Sequence, residues 1–337
     1  MRYIGVDLHS NNFMVCFLPE DGKQTFKQYK ISEIEIFKQC LDAEDHIAVE
    51  ATGNTRFFYT QIVSLVAKCV VVNPSQFEII KQSFKKTDKN DAEALARFLS
   101  KGILPSSRMK EELEAQVNSL ATTRDKLVKL RTTLLNKIHA HLKGEGYESR
   151  KEAYQHEANL KKVLDLNWSV TVRIELEVII AQIRSLTDGI TKLEKEISER
   201  GSQLEGHANL KSIKGIGAYS AAVLLSVIGD VNDFPGEDKL ASYFGIVPRV
   251  SNSNQTQHHG SITKRGSKLA RTALVQCTLT AKRFSPYLKQ FYERIKARRG
   301  AGKAIIATAR KFLGIIYRTL KYNWVFSDFP NFVLAEQ

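Results

Sequence analysis

Short apolar runs alternate with polar turns through the first hundred residues. Arg2–His9, Phe13–Leu18 and Lys23–Ile31 predict three strands, with Ser10, Asn11 and Asn12 and then Asp21 and Gly22 as the turns between them. Ser32 stands where a helix running to Cys40 would take its N-cap. His46–Ala51 predicts a fourth strand, Thr55–Val66 a helix, and Cys69–Val72 a fifth strand closed by Asn73 and Pro74. Helices are predicted at Ser75–Phe84 and Asp88–Lys101.

The period then lengthens. Glu111–Leu142 keeps heptad-like apolar spacing at Leu113, Val117, Leu120, Leu127, Leu134 and Ile138, interrupted by Arg124 and Arg131. A second long helix is predicted from Val170 to Glu199. There Val172, Leu176, Ile179, Ile183, Leu186, Ile190, Leu193 and Ile197 alternate steps of four and three, the spacing of a coiled-coil seam. Such a seam packs against the earlier helix or against a second protomer, and the reading favours oligomerisation, as a dimer or tetramer. Gly201 to Gly206 breaks the pattern. From Leu210 to Gly229 a helix, a turn at Gly215-Ile216-Gly217 and a small-residue helix predict a helix-hairpin-helix, whose glycines and helix-start amides suit a phosphate. After Pro248 the chain is polar and is predicted irregular to about Thr263. Basic helices follow at Ser267–Arg283 and near Lys303–Tyr322.

Charge sharpens this outline. The chain has 337 residues and a formal net charge of +14. Between Arg249 and Lys311 stand 15 Lys or Arg and one acid, Glu293, so this segment accounts for the whole excess. A localised basic surface is the footprint of phosphate binding. Candidate nucleic-acid contacts are Lys214, Gly215, Gly217, Arg249, Lys264, Arg265, Lys268, Arg271, Arg298 and Arg299. Four scattered cysteines with no CxxC pair argue against structural zinc and for a reducing compartment. No apolar run is long enough to predict a membrane span, and the N-terminus enters a strand without a signal-like apolar core. A cytoplasmic protein is expected.

Four carboxylates fall at special places in the predicted elements. Asp7 and Glu50 end apolar strands, and Asp88 and Asp91 share one face at the start of a helix. The order of three strands, helix, strand, helix, strand and helices is that of an RNase H-like (RuvC-like) α/β domain, in which such carboxylates hold metal. Carboxylate oxygen suits a hard cation such as Mg²⁺, and two ions about 4 Å apart serve phosphodiester chemistry. The expected organisation is a RuvC-like core at 1–108, long helices and coiled coil at 109–200, and a mostly α-helical region with the helix-hairpin-helix at 201–337.

These motifs resemble those of the DEDD transposases of the insertion sequence 110 family. Asp7, Glu50, Asp88 and Asp91 match the tetrad, and Lys86-Thr-Asp-Lys-Asn-Asp-Ala92 matches the context of its last pair. Leu240-Ala-Ser-Tyr-Phe-Gly-Ile-Val-Pro-Arg249 and Gly260-Ser-Ile-Thr-Lys-Arg-Gly266 match the family's C-terminal transposase domain. The resemblance covers nearly the whole chain. It implies a nucleophilic serine between those two runs, which falls on Ser253; Ser251 is the runner-up. Asn254 follows Ser253 where the family has glycine, and asparagine tolerates left-handed backbone. His258 and His259 read as loop residues rather than catalytic groups.

The resemblance further implies a prokaryotic DNA recombinase, nucleoid-associated in action, that excises and inserts its own element. It implies donor and target DNA as partners, and a bridge RNA that pairs with both. Its chemistry would be attack by Ser253 on a phosphodiester, assisted by Mg²⁺ and by Arg249, Lys264 and Arg265. A RuvC-type nuclease or junction resolvase, a related DNA invertase and a non-catalytic nucleic-acid scaffold are the other readings.

Overall fold

A computed structural model describes residues 1–74, 77, 87–148, 154, 156–253 and 256–335. The chain divides into two compact units, Met1–Met109 and Lys110–Gln337.

The first unit is built on a six-stranded mixed sheet. Its strands are β1 (Arg2–Leu8), β2 (Asn12–Pro19), β3 (Thr25–Lys30), β4 (His46–Glu50), β5 (Lys68–Val72) and β6 (Ser106–Ser107), in spatial order β3-β2-β1-β4-β5-β6. The hairpin strands β1, β2 and β3 pair antiparallel, while β1, β4 and β5 run parallel. The helices between them are α1 (Ile34–Lys38) and α2 (Thr55–Ile62). Residue alternation sends Ile4, Val6, Leu8, Ile47 and Val49 to one core, where they meet Phe13, Phe37 and Phe58. Burying each such side chain contributes roughly 1.5–3 kcal/mol. The opposite parity sends Ala48, Val70 and Val72 against Leu95 and Leu99 of α3 (Asp88–Ser100).

Gly5 explains how closely α3 lies on β1. A Cβ built there would fall 1.9 Å from the Ala92 carbonyl oxygen and 2.5 Å from the Ala96 amide nitrogen. Only a residue without a side chain admits the helix backbone at this point. Ala92 and Ala96 keep the helix side of the contact equally thin.

In the second unit α4 (Glu112–Gly144) and α6 (Val170–Gly201) pack antiparallel. Gln116 bonds Arg200 at one end, Arg124 bonds Glu194 in the middle, and His141 meets Glu175 at the other. The two arginines that interrupt the apolar repeat of α4 thus find polar partners across the pair: Arg124 on Glu194, and Arg131 on Thr187. Of the predicted seam, Leu176 and Ile183 lie in one of this chain's own cores and Ile197 in another, Ile190 is buried as well, and Val172, Ile179, Leu186 and Leu193 are partly buried. The seam is therefore covered within the chain, and its spacing carries no further need for a partner helix. A short helix, α5 (Glu157–Leu164), packs beside α6.

The remaining helices are α7 (His207–Ser212), α8 (Ala218–Ile228), α9 (Glu237–Tyr243), α10 (Lys268–Phe284), α11 (Pro286–Arg299) and α12 (Ala301–Lys321). From Ala221 to Ile228 every residue of α8 is buried. One core joins Val117 and Ala121 of α4 and Ile197 of α6 to α8, α10 and α12. No helix among the described residues is long and apolar enough to cross a membrane.

Some expectations change. Ser32 is not a cap; it lies inside a 3-10 turn (Ile31–Glu33), where the Glu33 carboxylate accepts from the Lys30 amide. The predicted helix Ser75–Phe84 lies outside the described residues apart from Phe77. The stretch predicted irregular forms an antiparallel pair, β7 (Pro248–Ser253) and β8 (Thr256–Ile262). Its polar composition hid it, because a ladder joins backbone groups whatever the side chains are. A last small pair, β9 (Phe326–Asp328) and β10 (Val333–Leu334), follows α12.

Candidate metal centre and serine hairpin

Strand register assembles the acidic site. β1 and β4 pair parallel with Val6 opposite Val49, so the next step sets Asp7 beside Glu50 on the face that α3 covers. Asp7 also follows Gly5 by two residues, and so shares its face. The close seat of α3 on Gly5 brings that helix's first turn, with Asp88 and Asp91, to the same end of the sheet. Thr87 caps α3, its side chain accepting from the Asn90 amide. Two acids in a first helical turn also complement the helix dipole.

His9 completes the arrangement, and sequence reasoning missed it. Its Nε2 lies 3.4 Å from Asp7 Oδ2 and 3.4 Å from Asp88 Oδ2. Among the described residues Asp7, His9 and Asp88 offer ligand atoms within 4.8 Å of one another. Glu50 stands at the adjacent strand end and Asp91 within the same helical turn as Asp88; neither belongs to that closest cluster. Asp7 is 6% exposed, so its carboxylate is desolvated for a ligand, whereas Asp88 and His9 open to solvent. The signal for His9 was its place two residues past Asp7, just beyond the end of β1.

Local bonds fix the backbone that carries His9 and Glu50. The Asn54 side-chain amide donates to the carbonyls of His9 and Ser10, at 2.9 and 2.8 Å. The Thr55 hydroxyl donates to the Glu50 carbonyl and accepts from the Thr52 amide. The donor set is rich in carboxylate oxygen, which fits a hard divalent cation. The imidazole nitrogen favours Mn²⁺ over the harder Mg²⁺.

Ser253 is the last residue of β7, opposite Thr256, and Ser251 pairs with His258. The hairpin is fixed at its root. The Thr263 amide donates to Val247 and the Lys264 amide to Gly245. Gly245 and Gly266 both have positive φ, and a Cβ at either would fall within 2.1 Å of a backbone oxygen, of Arg265 and Tyr243 respectively. Arg271 donates to the carbonyls of Phe244, Arg265 and Gly266. Its guanidinium is thus committed to the fold, and burial lowers its pKa from the usual value.

The other predicted basic contacts lie on the surface. Lys214, Arg249, Lys264, Arg265, Lys268, Arg298 and Arg299 are exposed. Gly215, with φ 117°, packs against the backbone of Ala281, so its missing side chain serves a contact within the unit. Gly217 caps α8 with open space around it.

Comparison with known proteins places this geometry. The profile of a family described as transposase matches residues 4–146, the span that holds all four carboxylates. The profile described as transposase, IS116/IS110/IS902 family, matches residues 207–293 and spans the serine hairpin. The chain is 26% identical over 337 residues to the transposase for insertion sequence element IS1111A of Coxiella burnetii, covering 95% of this chain and 90% of the relative. It is 29% identical to the pilin gene-inverting protein of Moraxella lacunata, over 95% of this chain and 96% of the relative. A probable family 20 transposase of Pseudomonas aeruginosa is 26% identical over 80% of this chain and 78% of its own length. The protein is an enzyme of DNA recombination, of the transposase class. It belongs to the IS116/IS110/IS902 transposase family.

Proposed function

We propose that the protein cuts and rejoins DNA through a phosphoserine intermediate on Ser253, so as to move an insertion element between a donor and a target. The convergence of Asp7, His9 and Asp88 at one sheet end is the observation that carries this reading. The first unit is read as an RNase H-like, RuvC-like domain; its strand order, with two antiparallel hairpin connections followed by parallel crossovers, supports that.

In the proposed reaction the Ser253 oxygen attacks phosphorus and the bond to a deoxyribose oxygen breaks. The serine proton passes to water, and the leaving oxygen takes a proton from water. The ester keeps the bond energy for rejoining, when a free strand-end hydroxyl attacks and releases Ser253. Asp7, Glu50, Asp88 and Asp91 would hold Mg²⁺, with His9 as a further ligand. When bound, such an ion offsets phosphate charge and favours ionisation of a hydroxyl. Arg249, Lys264 and Arg265, exposed around the serine hairpin, neutralise charge as it develops on the phosphate.

Sequence choice is assigned to a guide RNA encoded by the element, held by the basic segment through its backbone, while base pairing reads the DNA. The α7–α8 pair is read as a helix-hairpin-helix whose open start at Gly217 takes a phosphate. A second copy of the chain would pair through Val170, Ile174 and Val178, which are exposed at steps of four on α6, away from the covered seam. DNA inversion is the second reading, favoured by the likeness to the pilin gene-inverting protein.

Denaturing electrophoresis with labelled DNA bearing the element ends tests the mechanism. Wild type should form a covalent protein–DNA species, Ser253→Ala none, and Ser251→Ala a normal amount. A species that survives in Ser253→Ala and vanishes in Ser251→Ala moves the nucleophile. Metal-dependent cleavage with no covalent species would replace the serine mechanism with that of a RuvC-type nuclease.

A further inference from the structure

At the junction of α10 and α11 large aromatic rings stand in solvent among cations. Phe284, the last residue of α10, is 41% exposed, and Tyr287, in the first turn of α11, is 54% exposed. Folding alone would bury such rings, since each forgoes hydrophobic stabilisation while exposed. Both are instead topped by ammonium groups. Lys214 Nζ lies 4.9 Å from the Phe284 ring centre, and Lys311 Nζ lies 4.6 Å from that of Tyr287 and 4.7 Å from that of Phe291.

Three elements distant in sequence build this arrangement. Lys214 comes from the turn between α7 and α8, and it reaches Phe284 because Gly215 lets that turn rest on the Ala281 backbone. Phe284 and Tyr287 flank Ser285, whose hydroxyl accepts from the Leu288 amide and so fixes the bend between α10 and α11. Lys311 comes from α12. Ser285 is buried, so the bend that carries both rings is anchored in the core of the unit.

We propose that Phe284 and Tyr287 form a stacking platform for the bases of an unpaired DNA strand, with Lys214, Lys311 and Arg283 on its phosphates. Exposed rings offer stacking to bases, and the cations beside them offer charge to the phosphates that link those bases. A duplex hides its base faces and gains nothing from exposed rings. Charge supports a nucleic-acid occupant over a protein, because Glu293 is the one acid between Arg249 and Lys311. The proposal rests on the recombinase reading, in which strands part before they are rejoined, and it gives the parted strand a place.

Fluorescence anisotropy of labelled oligo-dT with the full chain, without added metal, tests this apart from the recombination chemistry. Tyr287→Ala and Phe284→Ala should each weaken binding about 5- to 100-fold. Tyr287→Phe should restore wild-type affinity, and binding to a duplex of equal length should not change. Lys311→Ala should also reduce the slope of log affinity against log salt by about 0.7, whereas Tyr287→Ala leaves the slope alone. Wild-type affinity for oligo-dT in the double variant Phe284→Ala, Tyr287→Ala overturns the platform, as does equal loss of duplex binding. Binding of oligo-rU with none of oligo-dT overturns the assignment to DNA. A failed platform with the Ser253 ester intact leaves the recombinase standing. A working platform without that ester leaves a strand-binding protein of another mechanism.

Discussion

The acidic cluster of the first unit and the serine hairpin of the second are held in opposite ways. Asp7 and Glu50 are placed by a parallel strand register, and Asp88 by a helix pressed onto Gly5, so each carboxylate depends on contacts made far away in the chain. Ser253 ends a two-stranded ladder gripped at its root by Gly245, Gly266 and Arg271. Their charges differ too. Met1–Met109 has 14 basic and 13 acidic residues, while Arg249–Lys311 has 15 and one. The first scaffold suits ligands whose separation must not vary, such as those of a metal. The second suits a group that is presented to a large polyanion.

If that contrast is right, removing chemistry should leave each scaffold standing, and removing scaffold should disturb one unit only. The largest effect is expected from Asp7→Ala. Strand exchange should fall by at least about 100-fold, with circular dichroism and the melting temperature little changed, because a ligand is lost and little core volume. Near-normal recombination in that variant would remove the metal site.

Gly5→Ala comes next and attacks the scaffold. The added carbon meets backbone rather than a yielding side chain, so α3 must shift; a cost of about 1–3 kcal/mol is expected, with weaker divalent-ion binding by calorimetry. Unchanged stability and ion binding would mean that the seat of α3 does not set the site.

A smaller effect sharpens the identity of the ion. His9→Ala should lower affinity for Mn²⁺ by roughly 10-fold and affinity for Mg²⁺ less, since imidazole favours the softer ion. Equal losses for both ions would make His9 a positioning group only.

The smallest effect concerns the second unit alone. Burial lowers the pKa of His207 from its usual 6.5, an effect to which Lys211 adds and which the bond to the Ala218 carbonyl opposes. The unfolded chain therefore takes up the proton more readily than the folded one, and stability declines as pH falls through about 6.5. Urea denaturation of the full chain at pH 5.5 and 7.5 should show a dependence that His207→Gln diminishes. An undiminished dependence would assign it to other groups.

Much of the first unit was legible because its strands carry apolar runs bounded by turn residues, with Asp7 and Glu50 near the ends of two such runs and Asp88 and Asp91 at the start of a helix. His9 escaped notice since a histidine just past a strand resembles any turn residue until Asp88 is folded beside it. The α4–α6 pair was visible as a repeat, yet spacing alone does not say whose helix fills the seam; Arg124 facing Glu194 decides that, and it is a long-range fact. The hairpin of Ser253 was missed because polar side chains give no period-two signal. α11 was missed for a related reason: its charged residues mask the helical period, although Ser285 before Pro286 is a legible start.

The interlock of Gly245 with Gly266 makes the serine hairpin a lever with a fixed pivot. Its reach is then set by strand length, at about 3.4 Å for each residue pair. Removing one pair between root and tip withdraws Ser253 by more than the length of a phosphorus–oxygen bond, without touching any residue of the pivot. Reach, and not only the identity of Ser253, thereby becomes a property that natural or designed change in this loop can tune.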